Sequence, residues 1–408
     1  MNEITFKQLT IKNWKQFQEI ELDFHPNLTI LTGANGCGKT TLLNLLARHF
    51  GWDFAELSTP AKDEKSGLLR FFTRFFKNPF VSNDNIIGEL IYTDGKKASL
   101  RVPDQDSPRY NVTIESMRSI KGFNIPSHRP VFQYQEVSQL PMQKRRKDEA
   151  FNLVSNTSRN FWFGGGGRQS YYHIKETLLA WNIFGYGNQE MEPDRELMQF
   201  YSDFQSILQK VLPKTLGFKK FSVRRSEIVL VSDSGDFMLD AVSGGVSALI
   251  DLAWQIFMMS SDSQKITVLV DEVENHLHAS MQRSILPDFL AAFPNVQFIV
   301  STHSPLIVGS VRDSNVYAFR YNSETKVYSE KLDLINKARG AAEILREVLG
   351  VSFTMPIWVE DKLNEIVERY SKAELSKDSL TRMRKELEEF GLQDIIPMAI
   401  TNVLEKRG

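Results

Sequence analysis

The sequence contains one short stretch that restricts the fold more than any other, G-A-N-G-C-G-K-T from Gly33 to Thr40. An apolar run at residues 28–31 precedes it, and a run with helical character at residues 41–47 follows it. A strand, a glycine-rich loop and a helix in this order match the phosphate-binding loop G-x-x-x-x-G-K-[ST]. The chain is therefore expected to fold as an α/β protein that binds a nucleoside di- or triphosphate.

Each residue type in this loop has a predicted role in holding phosphate. The glycines let the backbone N–H groups point inward, and the following helix adds its positive N-terminal end. Lys39 is expected to reach the β- and γ-phosphates, and the Thr40 hydroxyl is expected to bind Mg²⁺. The predicted nucleotide contacts come from Asn35, Gly36, Cys37, Gly38, Lys39, Thr40 and Thr41.

The composition of the 408-residue chain excludes several classes of protein. Hydrophobic residues make up 42% and charged residues 24%, which is typical of a globular protein with a real core. Because the net charge is −1, any nucleic-acid contact must come from a local patch. The single cysteine, Cys37, excludes an internal disulfide, and we interpret it as a space-filling residue. No apolar run approaches the ~20 residues that span a bilayer and the N-terminus is no signal peptide, so we expect a cytoplasmic protein without a membrane anchor.

A second group of candidate functional residues begins near residue 240. The run S-G-G-V at 243–246 opens an apolar helix, and I-T-V-L-V at 266–270 predicts a fully buried strand. This strand ends in Asp271 and Glu272, at the edge where open α/β sheets bind ligands. Two adjacent carboxylates are costly there unless they handle a cation or a proton. We therefore expect Asp271 to bind Mg²⁺ and Glu272 to orient and deprotonate an attacking water.

A histidine follows another predicted strand, residues 296–300. His303 lies just past its end and is expected to hydrogen-bond a γ-phosphate. A zinc site built from His276, His278 and His303 is rejected, because no cysteine accompanies them and the carboxylates are better used on magnesium.

The alternating and apolar patterns predict further elements around these motifs. Strands are predicted at 4–11, 17–24, 315–321 and 327–332, a hairpin at 218–231, and a small antiparallel sheet beside the core at 87–93, 97–102 and 109–114. Helices are predicted at 169–183, 194–212, 338–349 and from 360 onward.

Three segments allow more than one interpretation. Residues 68–76 predict a basic amphipathic helix. Such a helix binds a membrane surface or a partner groove, or it packs on the core and leaves its basic face solvated. We favour the second interpretation. The K-R-R-K run at 144–147 contacts phosphates or an acidic partner, or, as we modestly favour, consists of solvated charges at a helix start. The four glycines at 164–167 form a flexible loop or a close backbone approach.

Taken together, the motifs resemble those of ABC-type ATPases, in the branch shared by OLD nucleases, Rad50 and RecF (AAA_15 and AAA_21). Lys39 and Thr40 match Walker A, and Asp271 and Glu272 match Walker B and its catalytic glutamate. Ser243, Gly244 and Gly245 match the signature, and residues 274–278 match the D-loop. His303 matches the switch histidine, and Gln133 or Gln135 is the candidate Q-loop residue at the metal. The catalytic residues that this resemblance implies are Glu272, His303 and Lys39.

The resemblance also implies an architecture and a domain division. It implies an ABC-type P-loop core with a mixed central sheet, an antiparallel β subdomain, a helical insertion and a helical C-terminal region. On this basis residues 1–50 and 218–330 are expected to form the ATPase core, residues 51–217 the insertion, and residues 331–408 the helical C-terminal region.

In this family two subunits face each other across ATP. The signature of one subunit, here Ser243, Gly244 and Gly245, caps the ATP and Mg²⁺ held by the Walker A of the other. The resemblance therefore implies a homo-oligomer built from ATP-sandwich dimers. It also implies that a monomer hydrolyses ATP slowly. The signature carries Val246 where transporters prefer glutamine, so the contact across the dimer is expected to differ in detail.

OLD-like enzymes carry a C-terminal TOPRIM nuclease, and only Trp358 to Asp361 is faintly similar to its start. No D-x-D follows, so we expect a separate nuclease effector, as in stand-alone ATPases of bacterial anti-phage systems. The motif set looks most like the AriA family of the PARIS system and next like the Septu ATPase. The expected function is a sensor and scaffold that holds a toxic nuclease and releases it when a phage-encoded trigger appears.

Two alternative functions belong to other classes. One is a RecF- or Rad50-like DNA-repair ATPase that clamps DNA, which the near-neutral charge and the absence of heptads disfavour. The other is the ATPase subunit of an importer. Direct binding of nucleic acid stays open at this point.

Overall fold

The computed structural model describes residues 3–62, 69–72, 85–104, 106–129, 132–139, 144–165, 169–260, 264–350, 357–372 and 376–405. The chain divides into two compact units, Met1–Ile344 and Leu345–Gly408. All the described strands lie in the first unit, and the described elements of the second unit are helical. The fold class is α/β, as the sequence predicts.

The strands of the first unit form one large sheet and three small ones among the described residues. In chain order they are β1 (Phe6–Trp14), β2 (Phe17–Asp23), β3 (Leu28–Gly33), β4 (Glu56–Leu57), β5 (Thr59–Lys62), β6 (Leu69–Phe72), β7 (Ile86–Tyr92), β8 (Lys97–Arg101), β9 (Arg109–Tyr110), β10 (Thr113–Glu115), β11 (Gly122–Ile125), β12 (Phe218–Arg224), β13 (Glu227–Ser232), β14 (Gly235–Met238), β15 (Ile266–Val270), β16 (Val296–Thr302), β17 (Asn315–Tyr321) and β18 (Val327–Lys331).

The large sheet is mixed and runs in the order β10-β8-β7-β1-β2-β18-β17-β3-β16-β15-β11. Strands β17, β3, β16, β15 and β11 are parallel neighbours, whereas β2, β1, β7, β8 and β10 form an antiparallel flank. Every residue of β3, β15 and β16 is buried, as expected of parallel strands covered on both faces. The parallel half therefore brings the carboxyl ends of three buried strands to one edge.

The described α-helices are distributed over both units. They are α1 (Lys39–Ala47), α2 (Lys147–Trp162), α3 (Ser170–Tyr186), α4 (Arg195–Val211), α5 (Gly244–Met259), α6 (Ala279–Ala292), α7 (Pro305–Val308), α8 (Leu334–Lys337), α9 (Ala341–Glu347), α10 (Ile357–Lys372), α11 (Lys377–Glu389) and α12 (Ile396–Glu405). Helix α1 packs on β3, β15 and β16, while α2 to α6 contact one another. In the second unit, α10, α11 and α12 share a core that includes Leu363, Met383 and Val403.

Most of the predicted elements are present. Strand β3 and helix α1 lie on either side of the phosphate loop, as predicted. The hairpin β12–β13, helices α3 and α4, and strands β17 and β18 also lie where the patterns predict them. The chain turns between β1 and β2 with Asn13 and Lys15 at positive φ, in the interval between the first two predicted strands. Helix α2 ends where Gly164 takes a φ of 81°, so this glycine of the four-glycine run terminates a helix. Gly166 and Gly167 lie outside the described residues.

The helix predicted over residues 68–76 is wrong in its described part. Leu69–Phe72 forms β6, which pairs antiparallel with Thr59–Lys62, and residues 73–76 lie outside the described chain. Adjacent aromatic residues favour strands, and pairing with β5 gives the backbone its hydrogen bonds. The phenylalanine spacing that suggested a helical face therefore does not form one here.

The antiparallel strands predicted beside the core are in fact part of it. Strands β7, β8 and β10 extend the large sheet through β1, while β9 pairs with β4. The reason is that β1 offers a free edge to β7, with Leu9 opposite Leu90 and both side chains buried. An edge strand with an apolar face gains by such pairing.

A half-buried histidine gives the first unit a defined pH response. His49 lies in the 3₁₀ turn Arg48–Phe50, with Nδ1 3.0 Å from the Leu46 carbonyl and Nε2 2.9 Å from the Tyr92 hydroxyl. Its ring meets the Phe6 ring edge-on at 4.9 Å. Burial lowers the pKa of His49 from 6.5 to about 4, because the charged imidazolium is disfavoured there.

We predict that stability falls as the pH is lowered from about 6.5 to about 4, because the unfolded chain binds a proton that folded His49 does not. The two pKa values imply a loss of roughly 3 kcal/mol from this group. His49→Gln should flatten that part of the profile, measured by urea unfolding at several pH values. His128→Gln, which changes an exposed histidine, is the control, and an unchanged slope in His49→Gln would contradict the assignment.

Candidate nucleotide-binding site

The phosphate loop has the backbone conformation that its glycines allow. Gly33, Gly36 and Gly38 have φ values of 144°, 79° and 98°. A Cβ at Gly33 would lie 2.7 Å from the Phe319 carbonyl oxygen, and one at Gly38 would lie 2.3 Å from the Phe17 ring. Both the dihedral angles and the surroundings therefore exclude larger residues at these positions.

Lys39 begins α1 and turns back into the loop. Its Nζ donates to the carbonyl oxygens of Gly33 (3.0 Å) and Ala34 (3.1 Å), and it lies 3.6 Å from Cys37 Sγ. Burial lowers the pKa of Lys39 and raises the pKa of Cys37. Cys37 is fully buried in the core, which fits a space-filling residue with an unreactive thiol. Ala34, Asn35 and Gly36 are exposed, so the loop is open to solvent.

Thr40 and Asp271 meet between the loop and the end of β15. The Thr40 hydroxyl donates to Asp271 Oδ2 at 2.9 Å, and the Ser301 hydroxyl, from the end of β16, donates to Oδ1 at 2.5 Å. Burial raises the pKa of Asp271, while the two hydroxyl donors oppose the rise. A hydroxyl and a carboxylate side by side are hard oxygen donors, which are the ligands that Mg²⁺ prefers. The residues present therefore fit the predicted magnesium site.

Glu272 has an unusual backbone that several hydrogen bonds maintain. Its φ is 47°, a left-handed conformation that residues other than glycine rarely adopt. Its N–H donates to Ser301 Oγ at 2.8 Å, and its carbonyl oxygen accepts from Asn275 N at 3.0 Å. Its carboxylate accepts from Asn275 Nδ2 at 2.8 Å. The side chain predicted to act as general base is thus held by its neighbours.

The segment after Glu272 joins His303 to the site. The His303 N–H donates to Glu274 Oε1 at 2.5 Å, which links the predicted D-loop to the end of β16. Burial lowers the pKa of His303, and the nearby charge of Lys39 adds to the effect. A neutral imidazole near the phosphate loop can accept or donate one hydrogen bond.

The predicted signature lies at the start of α5. Ser243 is exposed and caps the helix, and its Oγ accepts from Val246 N at 3.5 Å. A Cβ at Gly245 would lie 2.9 Å from the His276 carbonyl oxygen, so α5 begins directly against the predicted D-loop. Among the described residues no hydrogen bond joins Ser243, Gly244 or Gly245 to the phosphate loop of the same chain.

The side chains of the two candidate Q-loop glutamines differ in their contacts. Gln133 is exposed and its Oε1 accepts from Gln169 Nε2 at 3.4 Å. The Gln135 backbone carbonyl oxygen accepts from the buried Lys175 Nζ at 3.0 Å, whereas its side-chain Oε1 is buried without a hydrogen-bond partner among the described residues. A metal-binding role for either residue stays a prediction.

Two residues of the basic run at 144–147 form ion pairs within the chain. Lys144 Nζ lies 2.7 Å from Asp194, and Arg145 Nη1 lies 2.5 Å from Glu176. These ion pairs connect the start of α2 to α4 and α3, because the helices bring carboxylates within reach. The favoured interpretation holds for Lys144 and Arg146, whose side chains are exposed at the start of α2, and is corrected for Arg145, whose guanidinium is mostly buried against Glu176.

Two contributors to the site were not identified from the sequence. Ser301 bonds both Asp271 and Glu272, and its place beside His303 at a strand end is the only signal that indicates it. Arg129 Nη2 donates to the Glu272 carbonyl oxygen at 2.8 Å. Nothing in its local pattern, S-H-R-P, indicates this contact.

With this geometry established, comparisons with known proteins can be stated. Residues 28–309 match the family described as "AAA domain, putative AbiEii toxin, Type IV TA system", and residues 6–48 match "P-loop containing region of AAA domain". The retron Vc95 probable ATPase of Vibrio cholerae serotype O1 biovar El Tor is 45% identical over 378 residues, which cover 77% of this chain and 73% of that protein.

Two further relatives match almost the whole chain. The retron Ec83 probable ATPase of Escherichia coli is 22% identical, covering 97% of this chain and 86% of that protein. The Septu protein PtuA of Bacillus thuringiensis is 20% identical, covering 94% of this chain and 96% of that protein. Within the described parts of the chain, no helix has the length and apolar character needed to cross a membrane.

We predict that Asp271→Asn makes the nucleotide-free protein more stable, because it removes a charge whose burial costs free energy, while the amide accepts from one hydroxyl and donates to the other. A thermal melt at pH 7.5 should show a midpoint a few degrees higher. Asp104→Asn, at an exposed aspartate, should leave the midpoint unchanged. A lower midpoint for Asp271→Asn would show that ionised Asp271 stabilises the empty site.

Proposed function

Because this chain belongs to the family described as "AAA domain, putative AbiEii toxin, Type IV TA system", we propose that it is the ATP-hydrolysing subunit of a multi-component bacterial defence system. The relatives named as retron ATPases and as a Septu protein support the defence role. The observation that carries the catalytic part is the 2.9 Å hydrogen bond from Thr40 to Asp271, which joins the two halves of the proposed metal site.

The residues of this chain divide the work of hydrolysis among themselves. Lys39 exchanges its bonds to the loop carbonyls for the more strongly negative phosphates of ATP. Thr40 and Asp271 would hold Mg²⁺, which supplies positive charge to the phosphates when bound. Glu272 takes the proton of the attacking water, and its bond from Asn275 fixes the carboxylate that receives it. His303 binds the γ-phosphate.

A second copy of the chain completes the proposed site. Ser243 and the backbone N–H groups of Gly244 and Gly245 lie at the start of α5, where the helix N-terminus favours an anion. We assign them to the ATP of the facing subunit, so that ATP joins two subunits and hydrolysis separates them. This arrangement makes activity dependent on oligomerisation.

The finer proposal concerns the effector. The ATPase scaffold holds a separate toxic nuclease of the TOPRIM type, in the manner of AriA in the PARIS system, and a phage-encoded trigger causes its release. The support for a separate effector is the family membership and the likeness to proteins named for the retron and Septu systems.

We predict that Glu272→Gln lowers kcat for ATP by about 10²–10⁴-fold while nucleotide binding remains, because only the proton acceptor is lost. In size-exclusion chromatography with ATP and Mg²⁺, this variant should accumulate as a dimer. Lys39→Ala should lose both nucleotide binding and the dimer. Glu324→Gln and Lys7→Ala, at exposed positions, are the matched controls. Hydrolysis at the wild-type rate by Glu272→Gln would contradict its role.

We also predict that Lys39→Ala and Glu272→Gln each abolish protection of cells that carry the complete gene neighbourhood. Phage plating should return to the level of unprotected cells, while Glu324→Gln should protect normally. If both active-site variants still protect, the ATPase is not part of the mechanism. A small TOPRIM protein encoded by the adjacent gene, bound by this chain when the two are co-expressed, would identify the effector.

A further inference from the structure

Arg129 stands between the end of β15 and helix α5. Its Nη2 donates to the Glu272 carbonyl oxygen at 2.8 Å, so one end of the guanidinium holds the strained backbone of the proposed general base. The same side chain lines a small cleft beneath the start of α5. The other lining residues are Phe132, Gly244, Ser247, Ala248, Asp251 and His276. Arg129 thus contacts the catalytic strand end and faces the signature helix.

Asp251 supplies a complementary charge from α5. It is only 9% exposed, and its Oδ2 accepts from Gln255 Nε2 at 3.0 Å one turn along the helix. Its Oδ1 is buried and has no hydrogen-bond partner in the described parts of the chain. Burial raises the pKa of Asp251 to about 6, and the positive charge of Arg129 is the main influence that opposes this rise. Arg129 therefore favours the charged form of this carboxylate.

Arg129 also has a buried polar atom without a partner among the described residues. Its Nε is buried without a hydrogen-bond partner among the described residues, although a guanidinium has five N–H donors to place. Both side chains also line a second cavity, which includes Asn124, Ser155 and Ser158. Two opposite charges that line the same cavity, each with an unused polar atom, form an incomplete interaction. A small displacement of either group changes its strength steeply, because the surroundings screen charge poorly.

We propose that Arg129 is a positioning residue that couples helix α5 to Glu272 through Asp251. Helix α5 is buried from Gly245 to Met258, so a displacement of its exposed start moves Asp251 with it. Arg129 follows Asp251 and, through the Glu272 carbonyl oxygen, sets the orientation of the general base. This proposal rests on the proposed function, because it adds a route by which engagement of the signature by a second subunit permits hydrolysis.

The test is a double-mutant cycle on the full-length chain. Arg129→Gln and Asp251→Asn are made singly and together, and kcat and KM for ATP are measured with Mg²⁺. Each single variant should lower kcat about tenfold or more and leave KM within about threefold, since the phosphate loop is untouched. The double variant should be within about threefold of the poorer single variant, because both changes interrupt the same route.

Asp203→Asn is the matched control. Asp203 accepts from Gln199 Nε2 at 2.7 Å, so it forms the same glutamine–aspartate pair four residues apart, but on the exposed face of α4. It should leave kcat unchanged. Nucleotide affinity and the thermal midpoint of every variant are measured in parallel, because a purely structural pair would lower the midpoint and leave kcat of the folded protein intact.

The outcomes separate this proposal from the proposed function. A wild-type chain that hydrolyses no ATP contradicts the proposed function itself. An active wild type with kcat within about twofold for Asp251→Asn, or with losses that multiply in the double variant, overturns the coupling. If Arg129→Gln does not fold, Asp251→Asn alone decides, because it keeps the size of the side chain and its bond to Gln255.

Discussion

The buried carboxylate of Asp271 is the point on which the site depends. It is 4% exposed and is held by one hydroxyl from α1, Thr40, and one from the end of β16, Ser301. Burying a carboxylate is unfavourable unless hydrogen bonds or a cation compensate it. Because β3, β16 and β15 are parallel neighbours, their carboxyl ends meet at one edge and provide both donors. The topology of the sheet thus determines where the phosphate loop, the proposed metal ligand and the proposed general base come together.

Ser301 extends this constraint from Asp271 to Glu272, the proposed general base. Its hydroxyl donates to Asp271 and accepts from the Glu272 N–H, so a single side chain relates the two neighbouring carboxylates. The left-handed backbone of Glu272 is stable only because its N–H, its carbonyl oxygen and its carboxylate all have partners. Strain at this residue is therefore maintained by contacts from β16, from the predicted D-loop and from Arg129.

The sequence was a sufficient guide where local pattern and tertiary structure agree. The phosphate loop needs glycine dihedral angles, and the buried strands need continuous apolar runs, so both are visible in the chain itself. The segment at 69–72 misled because the spacing of its aromatic residues fits a helical face, whereas its pairing partner β5 decides the outcome. Arg129 had no local signal, since its role arises only when β11 pairs with β15. That close pairing needs Gly122, where a Cβ would lie 2.0 Å from the Thr267 carbonyl oxygen.

Helix α5 explains how a site assembled from distant segments can respond to a neighbouring molecule. Its residues from Gly245 to Met258 are buried, while Ser243 at its start is exposed. A helix enclosed in this way moves as a rigid element, because close-packed interiors do not deform continuously. Whatever binds Ser243 therefore acts on the interior through the side chains that α5 presents there, and Asp251 is the one that carries a charge. On the proposed coupling, this otherwise apolar helix retains a buried carboxylate because Arg129, which lines the same cleft as Asp251, also donates to the backbone of Glu272.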